Sequence, residues 1–161
     1  MTRIILALDP GRHKIGFAFT DLDGELISSG IFPQIEHVLF FHALLHDPHS
    51  LSRWTLEGNT SSLPNNLTQS LEFTAIGSGT YSQPFTDLAK NLLPCQVLTV
   101  DERNTTLEAR SLYWRLHKPG IFMRLLPEGL RVPNRVLDDL AAWAIAVRAL
   151  KKYRDIRRNK L

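Results

Sequence analysis

The sequence has little of what several common chemistries are built from. It holds a single cysteine, Cys95, which excludes an internal disulfide framework and any zinc cluster built on cysteine. No apolar run approaches the roughly 20 residues needed to span a bilayer, so no membrane partner is expected. The apolar stretch behind Arg3 is short and breaks at Asp9, which is not the pattern of a secretory signal, and the cytoplasm is the expected compartment. Neither a P-loop nor a dinucleotide fingerprint occurs, because the glycines of Gly77-Ser78-Gly79-Thr80 have neither spacing. His42 and His46 stand one helical turn apart with His49 nearby, but no neighbouring acid or cysteine completes a zinc site.

What is present is the composition of an ordinary globular protein, 43% hydrophobic and 22% charged over 161 residues. That length suits one domain, 1–161, with a real core. The net charge of +3 conceals an asymmetry. Residues 1–100 carry five Lys/Arg against nine Asp/Glu, whereas residues 101–161 carry fourteen against seven. A basic half on an otherwise acidic chain suits a polyanionic partner, since lysine and arginine gain affinity by displacing counterions from phosphates. A solvated, charged surface is the plainer reading of the same numbers.

The most informative stretch is Ile4-Ile5-Leu6-Ala7-Leu8-Asp9-Pro10-Gly11. Five apolar residues, β-branched at the front, predict a central strand buried on both faces. It ends in a carboxylate and a tight turn, and Ile15 to Thr20 reads as the returning strand. On its own, Asp-Pro-Gly is ordinary turn chemistry. Asp23-Gly24 then predicts a hairpin into a third antiparallel strand over 25–32. A helix is expected over 35–46, and residues 47–70 read as a polar, inserted surface loop with Trp54 pinning one end. Strands at 72–76 and 96–100 alternate with helices at about 84–93 and from Thr105 or Thr106, acting as cap, to about His117. Residues 118–135 read as an arginine-rich loop. A last helix with a small, apolar face begins near Val136 and frays into a basic tail, 151–161. The expected class is α/β: a mixed five-stranded sheet, three strands antiparallel and then parallel ones, flanked by helices. Ligands of such sheets sit beyond the carboxyl ends of the parallel strands.

Asp9, Asp101, Glu102, Asp138 and Asp139 are the acids available at that edge. Converging carboxylates repel one another and are stable mainly around hard cations. Oxygen-only ligation suits Mg²⁺ or Mn²⁺, and paired ions about 4 Å apart activate water and stabilise a leaving phosphodiester oxygen. A lysine or arginine head group filling that pocket would remove the assignment.

Three segments carry a resemblance. Ala7-Leu8-Asp9-Pro10-Gly11 with Lys14-Ile15-Gly16-Phe17-Ala18, Asp101-Glu102-Arg103-Asn104-Thr105-Thr106-Leu107-Glu108-Ala109, and Asp138-Asp139-Leu140-Ala141-Ala142-Trp143-Ala144-Ile145 resemble, in order and spacing, the RuvC/YqgF-like branch of the ribonuclease H-like nucleases. The resemblance implies a ribonuclease H-like fold and a divalent-metal-dependent nuclease of structured RNA or branched DNA, of the Holliday-junction-resolving or ribosomal-RNA-precursor-processing kind. It implies Asp9, Glu102 and Asp138 as catalytic ligands of two Mg²⁺ or Mn²⁺ ions. Arg103, Thr106 and Asp139 would support them, with Asp138 preferred over Asp139 by its offset from Ala141-Ala142. Lys14, Arg124, Arg131, Arg135 and the tail would contact nucleic acid. The segment after the 72–76 strand departs from the family, which usually has Gly-Leu-Pro there. Two rival readings are a non-catalytic nucleic-acid-binding or scaffold protein on the same fold, and a phosphotransferase of the actin/sugar-kinase type, which needs far more chain.

Overall fold

The computed structural model describes residues 2–159; Met1 of the expected domain, and Lys160 and Leu161 of the expected tail, lie outside the described residues. Elements follow in the order β1 (Ile4–Pro10), β2 (Lys14–Thr20), β3 (Leu26–Pro33), α1 (His37–His46), β4 (Thr55–Gly58), α2 (Leu67–Ser70), β5 (Leu71–Gly77), α3 (Ser82–Leu92), β6 (Gln96–Val100), α4 (Thr105–Leu116), α5 (Ile121–Arg124) and α6 (Asp138–Arg158). The sheet runs β4-β3-β2-β1-β5-β6. Pairing is antiparallel from β4 to β1 and parallel from β1 to β6. The protein is thus α/β, a mixed sheet flanked by helices, with six strands where five were expected.

Strand alternation sorts the core into two layers. Ile4, Leu6 and Leu8 of β1 and Ile15, Phe17 and Phe19 of β2 pack with α1 and α3. Ile5 and Ala7 of β1, Ala18 of β2 and Ala75 of β5 pack with α4 and α6. Ala7 stands opposite Ala18 on one side and Ala75 on the other. This row of small side chains meets the alanine-rich face of α6, whose Ala142 and Ala146 are fully buried. The helix therefore lies close on the sheet, and a larger residue at Ala142 would force it outward at a cost of about 1–3 kcal/mol. Trp143 locks the assembly from the other side by donating its indole N–H to the Gly24 carbonyl at 2.8 Å.

The sixth strand comes from the stretch expected to be a loop. Residues 47–70 contain a 3₁₀ turn over Pro48–Trp54, then β4 and α2. Leu51, Trp54, Leu63 and Leu67 are buried beneath them. These anchors are spaced singly among serine, asparagine and proline, so no periodic signal exposes them. Two further expectations are corrected. The segment 118–135 carries α5 and a 3₁₀ turn over Glu128–Leu130. The residue opening α4 is Asn104, in the left-handed conformation at φ 64° with no side-chain cap bond. Thr105 instead donates its hydroxyl to the Glu102 carbonyl at 2.8 Å. Among the described residues no helix is long and apolar enough to cross a membrane.

Candidate metal centre

Alternation decides which acids meet. Asp9 shares its parity with Ile5 and Ala7 and so faces α6, and Glu102, just beyond β6, follows Leu98 and Val100 onto the same side. Asp9 pairs across the sheet with Gly16. A side chain at Gly16 would overlap the backbone carbonyl of Asp138, so only glycine lets the first turn of α6 rest on β2. That close approach brings Asp138 beside Asp9. Gly77 ends β5, the strand between β1 and β6, and a Cβ there would stand 2.6 Å from Glu102 Oε2. A Cβ at Gly79 would overlap Glu102 Oε1. The glycines of the turn after β5 thus make the room in which the Glu102 carboxylate sits.

The electrostatics of the trio are unbalanced. Asp9 is pushed up to about 7 by burial first, then by the charges of Glu102 and Asp138 and a hydrogen bond shared with Glu102. Glu102 Oε2 is buried without a hydrogen-bond partner among the described residues. A buried carboxylate oxygen left in that state costs on the order of 1–3 kcal/mol, which a bound cation relieves. The neighbouring cavity, about 270 Å³, is lined by Asp9, Lys14, Thr106, Ala109, Leu137 and Asp138 among others.

Asp138 is turned toward Lys14, whose Nζ lies 3.2 Å from Oδ2. Accordingly, among the described residues no three acids, histidines or cysteines converge tightly enough to hold an ion as they stand. A lysine therefore does reach the rim of the pocket. Its side chain is 42% exposed and that of Asp138 31%, and ion pairs this wet contribute about 0–1 kcal/mol. Such a wet contact is weak enough to be exchanged for a divalent ion. The oxygen donors of Asp9, Glu102 and Asp138, with the unpartnered Glu102 Oε2, suit a hard, oxygen-loving cation.

The other expected residues fall in different places. Thr106 lines the cavity. Arg103 points outward, 88% exposed and paired with Asp101, whose carboxyl is held below the usual range mainly by the Arg103 backbone N–H. Asp139 is fully buried and faces away from Asp138. It accepts from Ser29 Oγ at 2.8 Å and from Arg135 Nη1 at 2.7 Å. Arg135, expected on nucleic acid, is thereby engaged inside the protein, and its Nη2 also donates to Glu57 Oε1 at 2.8 Å. Arg131 braces its own loop through the carbonyls of Met123, Leu126 and Arg124. Arg124 is exposed and donates to the Pro119 carbonyl. The basic end of α6 lies about 30 Å from Asp138, at the far end of a 21-residue helix. The His42 and His46 rings lie 4.9 Å apart, tilted by 53°, without joining a metal-holding group among the described residues.

Sequence reasoning missed the jobs of Gly77, Gly79 and Glu57. The glycine pair was visible as a turn, but its partner Glu102 is 23 to 25 positions further on. Glu57 lay in the stretch read as a loop.

No family model matches the sequence, and neither does any curated protein. Among solved structures the chain is similar to Thermus thermophilus RuvC in complex with a Holliday junction substrate, with a TM-score of 0.49 and 14% identity over 94% of this chain and 96% of that one. It is also similar to a protein assigned as a sugar kinase from Cytophaga hutchinsonii, with a TM-score of 0.37 and 12% identity over 66% of this chain and 38% of the other.

Proposed function

We propose that this chain is a divalent-metal-dependent nuclease that hydrolyses phosphodiester bonds in structured RNA or branched DNA. The observation that carries the reading is the charge imbalance around Asp9. Burial and the charges of Glu102 and Asp138 raise the Asp9 carboxyl, and the buried Glu102 Oε2 is left without a hydrogen-bond partner among the described residues. Asp9, Glu102 and Asp138 would hold Mg²⁺ or Mn²⁺, two ions when Asp138 leaves Lys14. Bound there, the metal supplies the positive charge that activates water and stabilises the leaving oxygen of the phosphodiester. Asp9 gives up its proton on loading, and burial strengthens its attraction for the ion. Thr106 lines the cavity where the scissile phosphate would enter. Lys14, once released from Asp138, and the exposed Arg124 supply positive charge toward the backbone, while Arg135 is assigned to the protein interior.

The test is cleavage of a four-way DNA junction and of a hairpin-rich RNA by the purified chain in Mg²⁺ or Mn²⁺. Asp9→Asn is expected to abolish cleavage while the circular dichroism spectrum stays native. Undiminished cleavage by that variant would remove the mechanism. The Lys14–Asp138 pair favours a second reading, a non-catalytic nucleic-acid-binding or scaffold protein on the same fold. It requires salt-dependent binding that survives both Asp9→Asn and chelation, with no cleavage by the wild type.

A further inference from the structure

Glu57 gathers two distant parts of the chain on one oxygen. His117, just after α4, places Nε2 at 2.6 Å from Glu57 Oε1, and Arg135, just before α6, places Nη2 at 2.8 Å from the same atom. These two residues bracket the segment 118–134. That segment exposes Ile121, Phe122, Leu125 and Val132 along with Arg124, so it is an excursion whose neck closes on Glu57, with further ties from Ser111 to Glu128 and from the Tyr113 hydroxyl to Asn134. Burial raises the Glu57 carboxyl, but the hydrogen bonds from Arg135 and His117 outweigh it and hold the group below its usual range.

The contact then passes to the metal centre. Glu57 stands opposite Ser29 in the sheet, and Ser29 stands opposite Ala18, so both face α6. Arg135 sits between Glu57 and Asp139, donating to the carboxylates of both and to the Val136 carbonyl at 2.8 Å. Ser29 takes the remaining side of Asp139. The guanidinium also lies over the ring of Tyr113, 5.9 Å from its centroid. Asp139 is thus held on several sides, and it is the peptide neighbour of Asp138. The first turn of α6 is pressed on Gly16 from below, so a rotation of that turn moves the Asp138 carboxylate directly.

We propose that Glu57 is a positioning residue for the metal centre: by closing the neck of the 118–134 excursion and holding Arg135 on Asp139, it sets where Asp138 presents its carboxylate. The inference rests on the metal-centre reading above. Removing a direct partner of a metal ligand typically costs 10–100-fold in affinity, and Glu57, acting through Arg135 and Asp139, is expected at the low end of that range. Glu57 touches none of the three acids, and its strand is at the edge of the sheet, away from the apolar layers that carry the fold.

The experiment is Mn²⁺ binding by titration calorimetry on the full chain, with thermal unfolding measured beside it. Glu57→Ala is expected to weaken Mn²⁺ binding about 10-fold while the protein stays folded at the titration temperature. Glu57→Gln keeps an oxygen for Arg135 and is expected to recover most of that affinity. Phe41→Leu, a core change on the opposite face of the sheet, is expected to lower the unfolding midpoint and leave Mn²⁺ affinity unaltered. Wild-type affinity in both Glu57 variants overturns the inference and leaves the metal centre standing. If Glu57→Ala does not fold, Glu57→Asp, which draws the carboxylate back from Arg135 and His117, takes its place: a several-fold loss of Mn²⁺ affinity supports the inference and wild-type affinity overturns it. A wild type that binds no Mn²⁺ overturns the metal-centre reading, and this inference falls with it.

Discussion

Asp138 and Asp139 are adjacent in the chain and lead opposite lives. Asp139 is sealed from solvent, and its oxygens are bonded to Arg135 and Ser29. Asp138 opens onto a cavity, meets Asp9 and Glu102, and has one half-exposed lysine against it. The first acid belongs to a network in which charges are matched, so it fastens α6 to the sheet. The second belongs to a group with more negative charge than its surroundings neutralise. An acid that is fully satisfied inside the protein has no capacity left for an ion; a set left short of positive charge does.

Removing each side of that contrast gives effects of different size and sign. Asp139→Ala leaves Arg135 partly buried without its main counterion and is expected to cost about 3–5 kcal/mol, read as a large fall in the denaturant midpoint. Asp138→Ala in the metal-free protein relieves repulsion and is expected to cost little or to stabilise. Equal losses in the two variants would erase the distinction.

Proton linkage sharpens it next. The Asp9 carboxyl titrates near 7 when folded and at an ordinary acid value when unfolded. Between about pH 4 and 7 the folded state therefore holds a proton that the unfolded chain lacks. Metal-free stability is highest toward the acid end of that window and falls as pH rises through 7, by on the order of 2 kcal/mol between pH 5 and 7.5. Glu57 and Asp101, held low, lose their contribution only as pH falls below the ordinary acid range. The slope is expected to vanish in Asp9→Asn and to flatten in saturating Mn²⁺, where the ion replaces the proton. A wild-type midpoint that rises steadily from pH 5 to 7.5 would contradict the assignment.

The smallest effect belongs to Lys14. Lys14→Met removes a wet ion pair and is expected to change stability by no more than about 1 kcal/mol. Mn²⁺ affinity is expected to rise by up to about fivefold, because a competitor for Asp138 has gone. A loss of Mn²⁺ affinity would mean that the lysine helps to build the centre rather than merely resting on it.

Much of this arrangement was legible in the chain. The run Ile4–Leu8, the returning strand and the strands near 72–76 and 96–100 carry their own hydrophobic periods, and the bounds of β6 agree to the residue. The carboxyl ends of β1 and β6 were legible as the place where Asp9 and Glu102 emerge, but only the register through β5 sets both on one side of the sheet. The fourth strand was not legible, since it is four residues long with two half-buried and two exposed side chains, and it forms only because β3 offers an edge. The internal partners of Arg135 were hidden for a related reason. An arginine among prolines and glycines resembles a phosphate contact, and only the fold brings Glu57 and Asp139 to its two ends.

The ends of the 118–134 excursion meet at one Glu57 oxygen, and Glu128 and Asn134 tie it further to Ser111 and Tyr113 of α4. Joining the ends of such a lobe costs entropy that grows only slowly with its length, roughly 0.6 kcal/mol per doubling. Its interior can therefore be lengthened, shortened or rewritten at small expense to the body beneath it. The scaffold beneath, with its sheet and α6, does not have to be refolded around new residues placed there.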